Sequence, residues 1–315
     1  MSTAGKIIAG LVVLVVLVYV LSVFLVFLLA GDGLDLSGGS GTVAVLRLDG
    51  VVASDSSDPA FGGGGIDPVR TVRLLDEADS DESVDAVVLR VNSPGGSPAA
   101  SWEIYNRLRG MTKPTVVSVG DVAASGAYYF ACGADHIVAA PTASVGSIGV
   151  LLEAVNLEEL FEKLGIRYTV LTKGKYKDLG NPARDLTAEE REILTQRLDE
   201  VYEQFIADVA AGRNLPEEEV RELANGLTYH GAEAADLGLI DLVGGYGDAL
   251  DLAAESAGLD VEDYEVRPIG EDEYGFDLLS LLLGLSVEDL AQSIREAVAE
   301  GLRSGLKAPS GLEFR

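Results

Sequence analysis

One stretch of the sequence, Ile7 to Ala30, contains no charged residue and consists almost entirely of apolar side chains. A helix of about 20 residues spans the hydrocarbon core of a bilayer, so this stretch is long enough to cross a membrane. The alternative is a cleaved secretory signal, whose apolar region normally has about 7 to 15 residues and ends at a small-residue cleavage site. Residues 1–31 are therefore predicted to form an N-terminal transmembrane helix that contacts the lipid bilayer through residues 7–30.

Charges on either side of the apolar stretch predict its orientation. Lys6 precedes it, whereas Asp32 and Asp35 follow it, and positive charge favours the cytoplasmic side. We therefore expect a single-pass protein of the cell membrane, with the rest of the chain outside the cytoplasm. Residues 32–41 are rich in glycine and serine and are predicted to be a flexible linker.

The chain is strongly acidic, with 51 Asp and Glu residues against 23 Lys and Arg residues and a net charge of −28. Such a surface repels nucleic acid and anionic lipid headgroups, so neither is expected as a partner. The acidic residues are spread along the chain, which in this respect resembles proteins of salt-accumulating haloarchaea. A halophilic source is therefore expected, with an ordinary acidic extracytoplasmic protein as the alternative.

Short apolar strands alternate with helical segments from residue 42 onward. The predicted strands are Thr42–Val52, Asp85–Val91, Pro114–Val119 and Asp135–Ala140, and the predicted helices are Asp67–Ala78, Pro98–Arg109 and Ser125–Cys132. In the second of these helices Trp102 is expected near the apolar face. Strand–helix alternation of this kind indicates an α/β fold with a largely parallel sheet.

The pattern becomes mainly helical after Pro182. The helices predicted there are Thr187–Ala210, which opens with capping-box spacing, followed by Pro216–Asn225, Gly231–Leu237 and the amphipathic Leu278–Leu306. The chain is therefore divided into the anchor, the linker, a domain at residues 42–260 and an acidic C-terminal helical extension at residues 261–315.

The segment GDVAASGAYY places Ser125 among small residues where a predicted strand ends and a helix begins. Small neighbours leave room for a substrate backbone to approach the hydroxyl, and the Gly126 amide at the helix N-terminus favours negative charge. Ser125 is therefore a candidate nucleophile. The alternative is an N-cap serine beside small packing residues, because serine is common at N-caps.

A second turn, SPGG, follows the predicted strand that ends at Val91 and contains Gly95 and Gly96. Sites in α/β sheets lie at the carboxyl ends of parallel strands. Consecutive glycines expose backbone amides with no side chain in the way. An amide from this turn could therefore complete an oxyanion hole with the amide of Gly126.

A nucleophilic serine needs a base, and histidine is scarce in this chain. The two histidines are His136, expected to be structural at the start of a strand, and His230, in a loop with no persuasive acidic partner. Only one cysteine, Cys132, is present, so an intramolecular disulfide and a thiolate metal cluster are excluded. No metal site and no cofactor are predicted.

Lysine is the other candidate base. The chain has seven lysines, and three of them, Lys173, Lys175 and Lys177, fall within the segment TKGKYKDLGNP. A lysine can act as a general base when burial or a nearby cation lowers its pKa, and Ser-Lys pairs are a variant of the catalytic triad. The alternative is a solvated basic loop.

Five motifs together resemble the signal peptide peptidases of the SppA type, which share the Clp protease/crotonase fold. In chain order they are RVNSPGG (90–96), GDVAASGAYY (120–129), GSIGV (146–150), YKDLGNP (176–182) and LTYHGAEAADLGLIDLVG (227–244). The resemblance extends from about Thr42 to Gly245. It implies the Clp protease/crotonase-like fold for this part of the chain.

The resemblance also implies roles for individual residues. Ser125 is implied as the nucleophile, Lys177 as the general base, and Ser147 as a hydrogen-bond partner that orients the lysine amine. The glycines of the SPGG turn are implied as oxyanion-hole donors. Peptide substrate is expected to bind as an added strand between the residues after SPGG and those around GSIGV. Members with a single copy of the core form rings in which the serine and lysine come from adjacent subunits, so a homo-oligomeric ring is expected.

The sequence thus predicts a membrane-anchored serine endopeptidase that cleaves signal peptide remnants and other membrane-associated or unfolded peptides. One alternative is a protease of the related type that works with stomatin-like scaffolds and cuts a defined partner. A second is a catalytically silent membrane scaffold that retains only the ring-forming fold. An acyl-CoA enzyme of the crotonase type is a third, disfavoured by the anchor and by the serine at the nucleophile position.

Overall fold

The computed structural model describes residues 41–54 and 65–270. The predicted transmembrane helix, nearly all of the linker and the predicted helix Leu278–Leu306 lie outside these residues. Of the helices within the described ranges, none combines the length and the apolar character needed to span a bilayer.

The described part of the chain contains eight strands and eight helices. The strands are β1 (Gly41–Asp49), β2 (Ala86–Ser93), β3 (Thr115–Ala124), β4 (His136–Ala139), β5 (Ser144–Gly146), β6 (Thr228–His230), β7 (Leu242–Val243) and β8 (Tyr264–Ile269). The helices are α1 (Pro68–Ser80), α2 (Pro98–Arg109), α3 (Gly126–Ala131), α4 (Glu158–Leu164), α5 (Ala188–Arg213), α6 (Glu217–Leu223), α7 (Gly231–Asp236) and α8 (Tyr246–Ser256).

The eight strands form one sheet with the order β6-β5-β3-β2-β1-β8, in which β4 also pairs with β3 and β7 pairs with β4. The pairs β1–β2, β2–β3, β3–β4, β3–β5 and β4–β7 are parallel, whereas β6 runs antiparallel to β5. The prediction of an α/β fold with a largely parallel sheet is therefore confirmed.

Helices cover both faces of the sheet. Alternate residues of a strand point to opposite faces: Ala44 and Leu46 of β1 join the core beneath α1, α2 and α3, whereas Val43 and Val45 pack in a second cluster with α8. Burial on both faces explains why the apolar run of β2 is continuous rather than alternating.

Strand β3 is longer than predicted because it changes partner along its length. Its residues Val116–Val119 pair with β4, and its residues Val122–Ala124 pair with β5. Between these two parts the Asn92 side-chain oxygen accepts hydrogen bonds from the amides of Asp121 and Val122, each at 3.2 Å. The strand thus changes partner near the point where it was predicted to end, and it continues to the residue before Ser125.

Two other expectations differ from the structure. Trp102 is 47% exposed, because the buried positions of α2 recur at Ala100, Ile104 and Leu108, and Trp102 falls between them. The predicted helical extension from residue 261 begins instead with β8, next to β1 in the sheet. Proline has no ladder N–H and is tolerated in outer strands, which suits Pro268 to this position.

Candidate active site

Ser125 connects β3 to α3 in a strained backbone conformation. Its φ of 52° and ψ of −123° lie outside the regions that residues with a side chain normally occupy, which costs about 1 to 3 kcal/mol. The Ser125 amide donates to the Gly146 carbonyl at 2.7 Å, and its carbonyl accepts from the Tyr129 amide at 2.9 Å. Both backbone groups are thus paired, which fixes the direction of the side chain.

The hydroxyl of Ser125 does not act as a helix cap. Ser125 occupies the N-cap position of α3, but its side chain makes no capping hydrogen bond. Its Oγ has no partner among the described residues, and the side chain is half-buried. A strained serine whose hydroxyl is left unpaired is better explained as a reacting group than as a cap.

The SPGG turn packs directly against Ser125. A β-carbon added to Gly95 would lie 2.7 Å from the Gly126 nitrogen and 2.9 Å from Cβ of Ser125. A β-carbon added to Gly126 would lie 3.1 Å from the Gly96 nitrogen. The amides of Gly96 and Gly126 find no hydrogen-bond acceptor within the described residues. Two unpaired N–H groups beside the hydroxyl can hold an oxyanion, whereas the Gly95 amide donates to the Ser93 hydroxyl at 3.1 Å.

Replacing Gly95 by alanine is expected to lower both stability and activity. Gly95 has a φ of 99°, and a β-carbon there would also lie 2.6 Å from the Ala124 carbonyl oxygen. Overpacking against fixed backbone adds about 1 to 3 kcal/mol to the cost of the left-handed conformation. Gly258→Ala is the matched control, since Gly258 has a φ of 76° but no atom within 4 Å of the added carbon. Equal losses of unfolding free energy in urea for the two variants would contradict the close approach.

Ser147 lies beside Ser125 because their preceding residues, Gly146 and Ala124, are partners in the parallel pair β5–β3. Ser147 also has a positive φ, 51°. Its amide donates to the Leu227 carbonyl at 2.8 Å, and its hydroxyl donates to the Gly226 carbonyl at 3.2 Å. The hydroxyl oxygen remains able to accept a hydrogen bond from an incoming amine.

Ser125 and Ser147 line the same open groove, with a volume of about 870 Å³. One wall comes from the long helix α5, through Thr195, Leu198, Asp199 and Tyr202. No sequence pattern indicated these residues, because a helix face that mixes polar and apolar side chains usually faces solvent. Neither His136, at the start of β4, nor His230, at the end of β6, lines the groove.

The three clustered lysines lie in an exposed segment, residues 151–187, here called the arm. Lys177 does not line the groove that contains Ser125, and its amine has no hydrogen bond or ion pair with any described residue. Lys175 donates to Glu189 at 2.6 Å, and this hydrogen bond holds the pKa of Lys175 above its ordinary value. Lys175 is therefore a poor proton acceptor. A single copy of the chain thus brings Ser125, Ser147, Gly96 and Gly126 together, but not Lys177.

Arg184 fastens the arm to the first turn of α5. Its guanidinium donates to both carboxylate oxygens of Glu190, each at 2.7 Å, and to the carboxylate of Asp178 at 3.2 Å. Glu190 is buried and also completes the capping box predicted with Thr187. Hydrogen bonds from Arg184, and a further one from the Thr187 amide, lower the pKa of Glu190 from 4.5 to about 2.

This lowered pKa predicts that acid loosens the arm. A carboxyl group whose pKa is lower in the folded state stabilises that state above its unfolded pKa and loses the effect as the pH falls. The attachment is therefore expected to be complete above about pH 4.5 and to weaken toward pH 2. Hydrogen exchange measured after brief exposure to pH 3 should show less protection at residues 178–190 than after exposure to pH 5. Unchanged protection there at pH 3 would contradict the assignment.

Comparison with known proteins shows consistent similarity. Residues 107–260 match the model of Peptidase family S49. The chain is 36% identical over 281 residues to the putative protease MJ0651 of Methanocaldococcus jannaschii, which covers 88% of this chain and 90% of that protein. It is 43% identical over 186 residues to the putative protease slr0021 of Synechocystis sp., covering 58% and 67% of the two chains.

A putative signal peptide peptidase SppA of Enterococcus faecium is 34% identical over 212 residues, covering 66% of this chain and 62% of that protein. Among solved structures, a mutant of the 1510-N membrane-bound stomatin-specific protease aligns with a TM-score of 0.50 and 17% identity. The alignment covers 74% of this chain and 99% of that one, and at this identity it shows a shared fold alone.

Proposed function

Because the chain belongs to peptidase family S49 and is a serine peptidase of the SppA type, we propose that it is a membrane-anchored endopeptidase with a Ser-Lys dyad. Ser125 is the nucleophile and Lys177 the general base. One observation carries the proposal: the strained, unpaired hydroxyl of Ser125 lies beside two unpaired backbone amides in an open groove. Family membership favours peptide hydrolysis over acyl-CoA chemistry and over a silent scaffold.

The proposed reaction proceeds through an acyl-enzyme. The neutral amine of Lys177 takes the proton of Ser125 as Oγ attacks the peptide carbonyl, and the amides of Gly96 and Gly126 stabilise the oxyanion. The ammonium then protonates the leaving amine as the peptide bond breaks. Water, deprotonated by the same amine, attacks the ester carbonyl. The bond between the acyl carbon and Oγ then breaks, the ammonium returns the proton to Oγ of Ser125, and the carboxylate product leaves. Ser147 accepts a hydrogen bond from the lysine and directs it toward Ser125.

We propose that the two halves of the dyad come from neighbouring subunits of a homo-oligomeric ring. In one copy of the chain Lys177 lies in the arm and outside the groove of Ser125. The arm also exposes many large apolar side chains, which are Leu151, Leu152, Val155, Leu160, Leu164, Ile166, Tyr168, Val170 and Leu171. Exposed apolar surface on this scale is typical of a protein–protein interface, and a neighbouring copy would cover it.

The proposed substrates are extended peptides, including signal peptide remnants and other membrane-associated or unfolded segments. The groove is open to solvent, and parts of its wall are apolar, such as Pro98, Val150 and Leu198. Anchoring through residues 7–30 would hold an extracytoplasmic domain close to peptides left in the bilayer after export.

Mapping of cleavage products tests this proposal. Purified full-length protein is incubated with synthetic signal peptides, an unfolded protein and the same protein in its folded state, at low and at molar KCl because of the net charge of −28. We expect cleavage of the first two substrates, and labelling of Ser125 by a serine-directed phosphonate. Cleavage unaffected by Ser125→Ala would refute the assignment of the nucleophile.

The same mapping of cleavage products distinguishes the general endopeptidase from a second candidate function. The structural neighbour is named as a stomatin-specific protease, and a restricted substrate would make this chain a protease of that kind. Cleavage confined to one membrane-scaffold protein, with no cleavage of signal peptides, would favour the restricted function over the general one.

A further inference from the structure

We propose that Arg184 is a positioning residue that holds the turn carrying Lys177 in the orientation needed for catalysis. The inference rests on the proposed role of Lys177 as general base. Asp178, the next residue in the chain, is bound by Arg184 through both its side chain and its backbone. Nε of Arg184 donates to the Asp178 carboxylate at 3.2 Å, and Nη2 donates to the Asp178 carbonyl at 3.2 Å. The two contacts fix the position and the rotation of the backbone adjoining Lys177.

The other side of the guanidinium is held by a rigid element. Nη1 and Nη2 of Arg184 donate to the two oxygens of Glu190, each at 2.7 Å, and Nη1 also donates to the Asp185 carbonyl at 3.0 Å. Glu190 is 4% exposed and lies in the first turn of the 26-residue helix α5. Arg184 therefore links the turn of Lys177 to the helix that forms a wall of the Ser125 groove.

This link supports the turn on the side that follows Lys177. On the side that precedes it, Lys175 and the Tyr176 hydroxyl both donate to Glu189. Residues Gly174 to Lys177 of the arm are exposed. The Lys177 amide donates a turn hydrogen bond to the Gly174 carbonyl at 3.2 Å. A displacement of a catalytic group by about 1 Å can cost about 100-fold in rate. The planar fork of arginine can bind Glu190 bidentately and reach Asp178 at the same time, whereas a lysine ammonium cannot.

Arg184→Lys is therefore expected to lower kcat by about 10- to 100-fold with KM changed less than about twofold. The matched control is Arg221→Lys, because Arg221 donates bidentately to Glu203 of the same helix, at 2.6 Å for both bonds, away from the arm. The control should leave kcat unchanged. An unchanged kcat in Arg184→Lys would overturn the proposal.

A double variant separates positioning from a general structural effect. Arg184→Lys added to Lys177→Ala should cause no further loss in the residual hydrolysis of an activated p-nitrophenyl ester, because a residue that acts through Lys177 has nothing left to position. A further loss of 10-fold or more would overturn the proposal. If Arg184→Lys does not assemble, Asp178→Asn tests the same contact from its other end and should lower kcat in the same way. Full activity of Lys177→Ala alone would instead refute the base assignment of the proposed function.

Discussion

Replacing Ser125 by alanine is expected to abolish peptide cleavage, lowering kcat/KM by about 10,000-fold or more. The hydroxyl is the atom proposed to bond to the substrate, and Ser125 lies beside the glycines whose amides are unpaired. The folded state should be retained, because the backbone hydrogen bonds of Ser125 to Gly146 and Tyr129 do not involve its side chain. Alanine at a φ of 52° does not relieve the strain, so the unfolding free energy should change little.

Two other serine variants are compared with Ser125→Ala, one as a control and one at a residue proposed to orient the base. Ser256→Ala removes a hydroxyl that bonds to the Leu252 carbonyl on an exposed part of α8 and should leave kcat/KM unchanged. Ser147→Ala removes a group proposed to orient the base and should give an intermediate loss, about 10- to 1,000-fold. Phosphonate labelling followed by peptide mass spectrometry identifies the reactive serine. Labelling at a residue other than Ser125 would reject the assignment.

Replacing Lys177 by alanine is expected to lower kcat by about 1,000-fold or more, because an unassisted serine hydroxyl is a weak nucleophile. Lys173→Ala is the control within the arm, since Lys173 is equally exposed and four residues earlier in the chain. It should retain the wild-type kcat. Wild-type activity in Lys177→Ala would mean that another group removes the proton.

Mixing the two inactive variants gives the sharpest result. If each site combines Ser125 of one subunit with Lys177 of a neighbour, co-assembly of Ser125→Ala with Lys177→Ala in equal amounts restores both groups in about one quarter of the sites. Activity should therefore return to about one quarter of the wild-type value after joint dissociation and reassembly. No recovery, in assemblies shown by differential tagging to contain both variants, would place both catalytic groups in one subunit.

The regular part of the fold could be predicted from local pattern. The continuous apolar run of β2 indicated a buried parallel strand, and the capping-box spacing of Thr187 and Glu190 correctly marked the start of α5. The short strands β5 and β6 were not predicted. With three residues each, they have too little sequence for a periodic pattern, and their pairing depends on contacts between residues about 80 positions apart, such as Gly146 with Thr228.

Part of the candidate site could also be predicted from local sequence pattern. Small residues around Ser125 and consecutive glycines at SPGG signalled close backbone approach, and the structure brings these two turns into contact. The roles of Arg184 and of the groove-facing side of α5 were not visible in sequence. An arginine among carboxylates is common on any acidic surface, and only the three-dimensional contacts show that this one joins the arm to a buried glutamate.

The change of partner along β3 has a consequence for the cell that makes this protein. The positive-φ conformation of Ser125 depends on a hydrogen bond to Gly146, and the neighbouring Ser147 is in turn held by the carbonyl of Leu227. A ribosome must therefore release more than 100 residues beyond Ser125 before both of these hydrogen bonds can form. A nascent chain that ends before Leu227 is therefore expected to lack the paired conformation of Ser125 and Ser147 found in the folded protein.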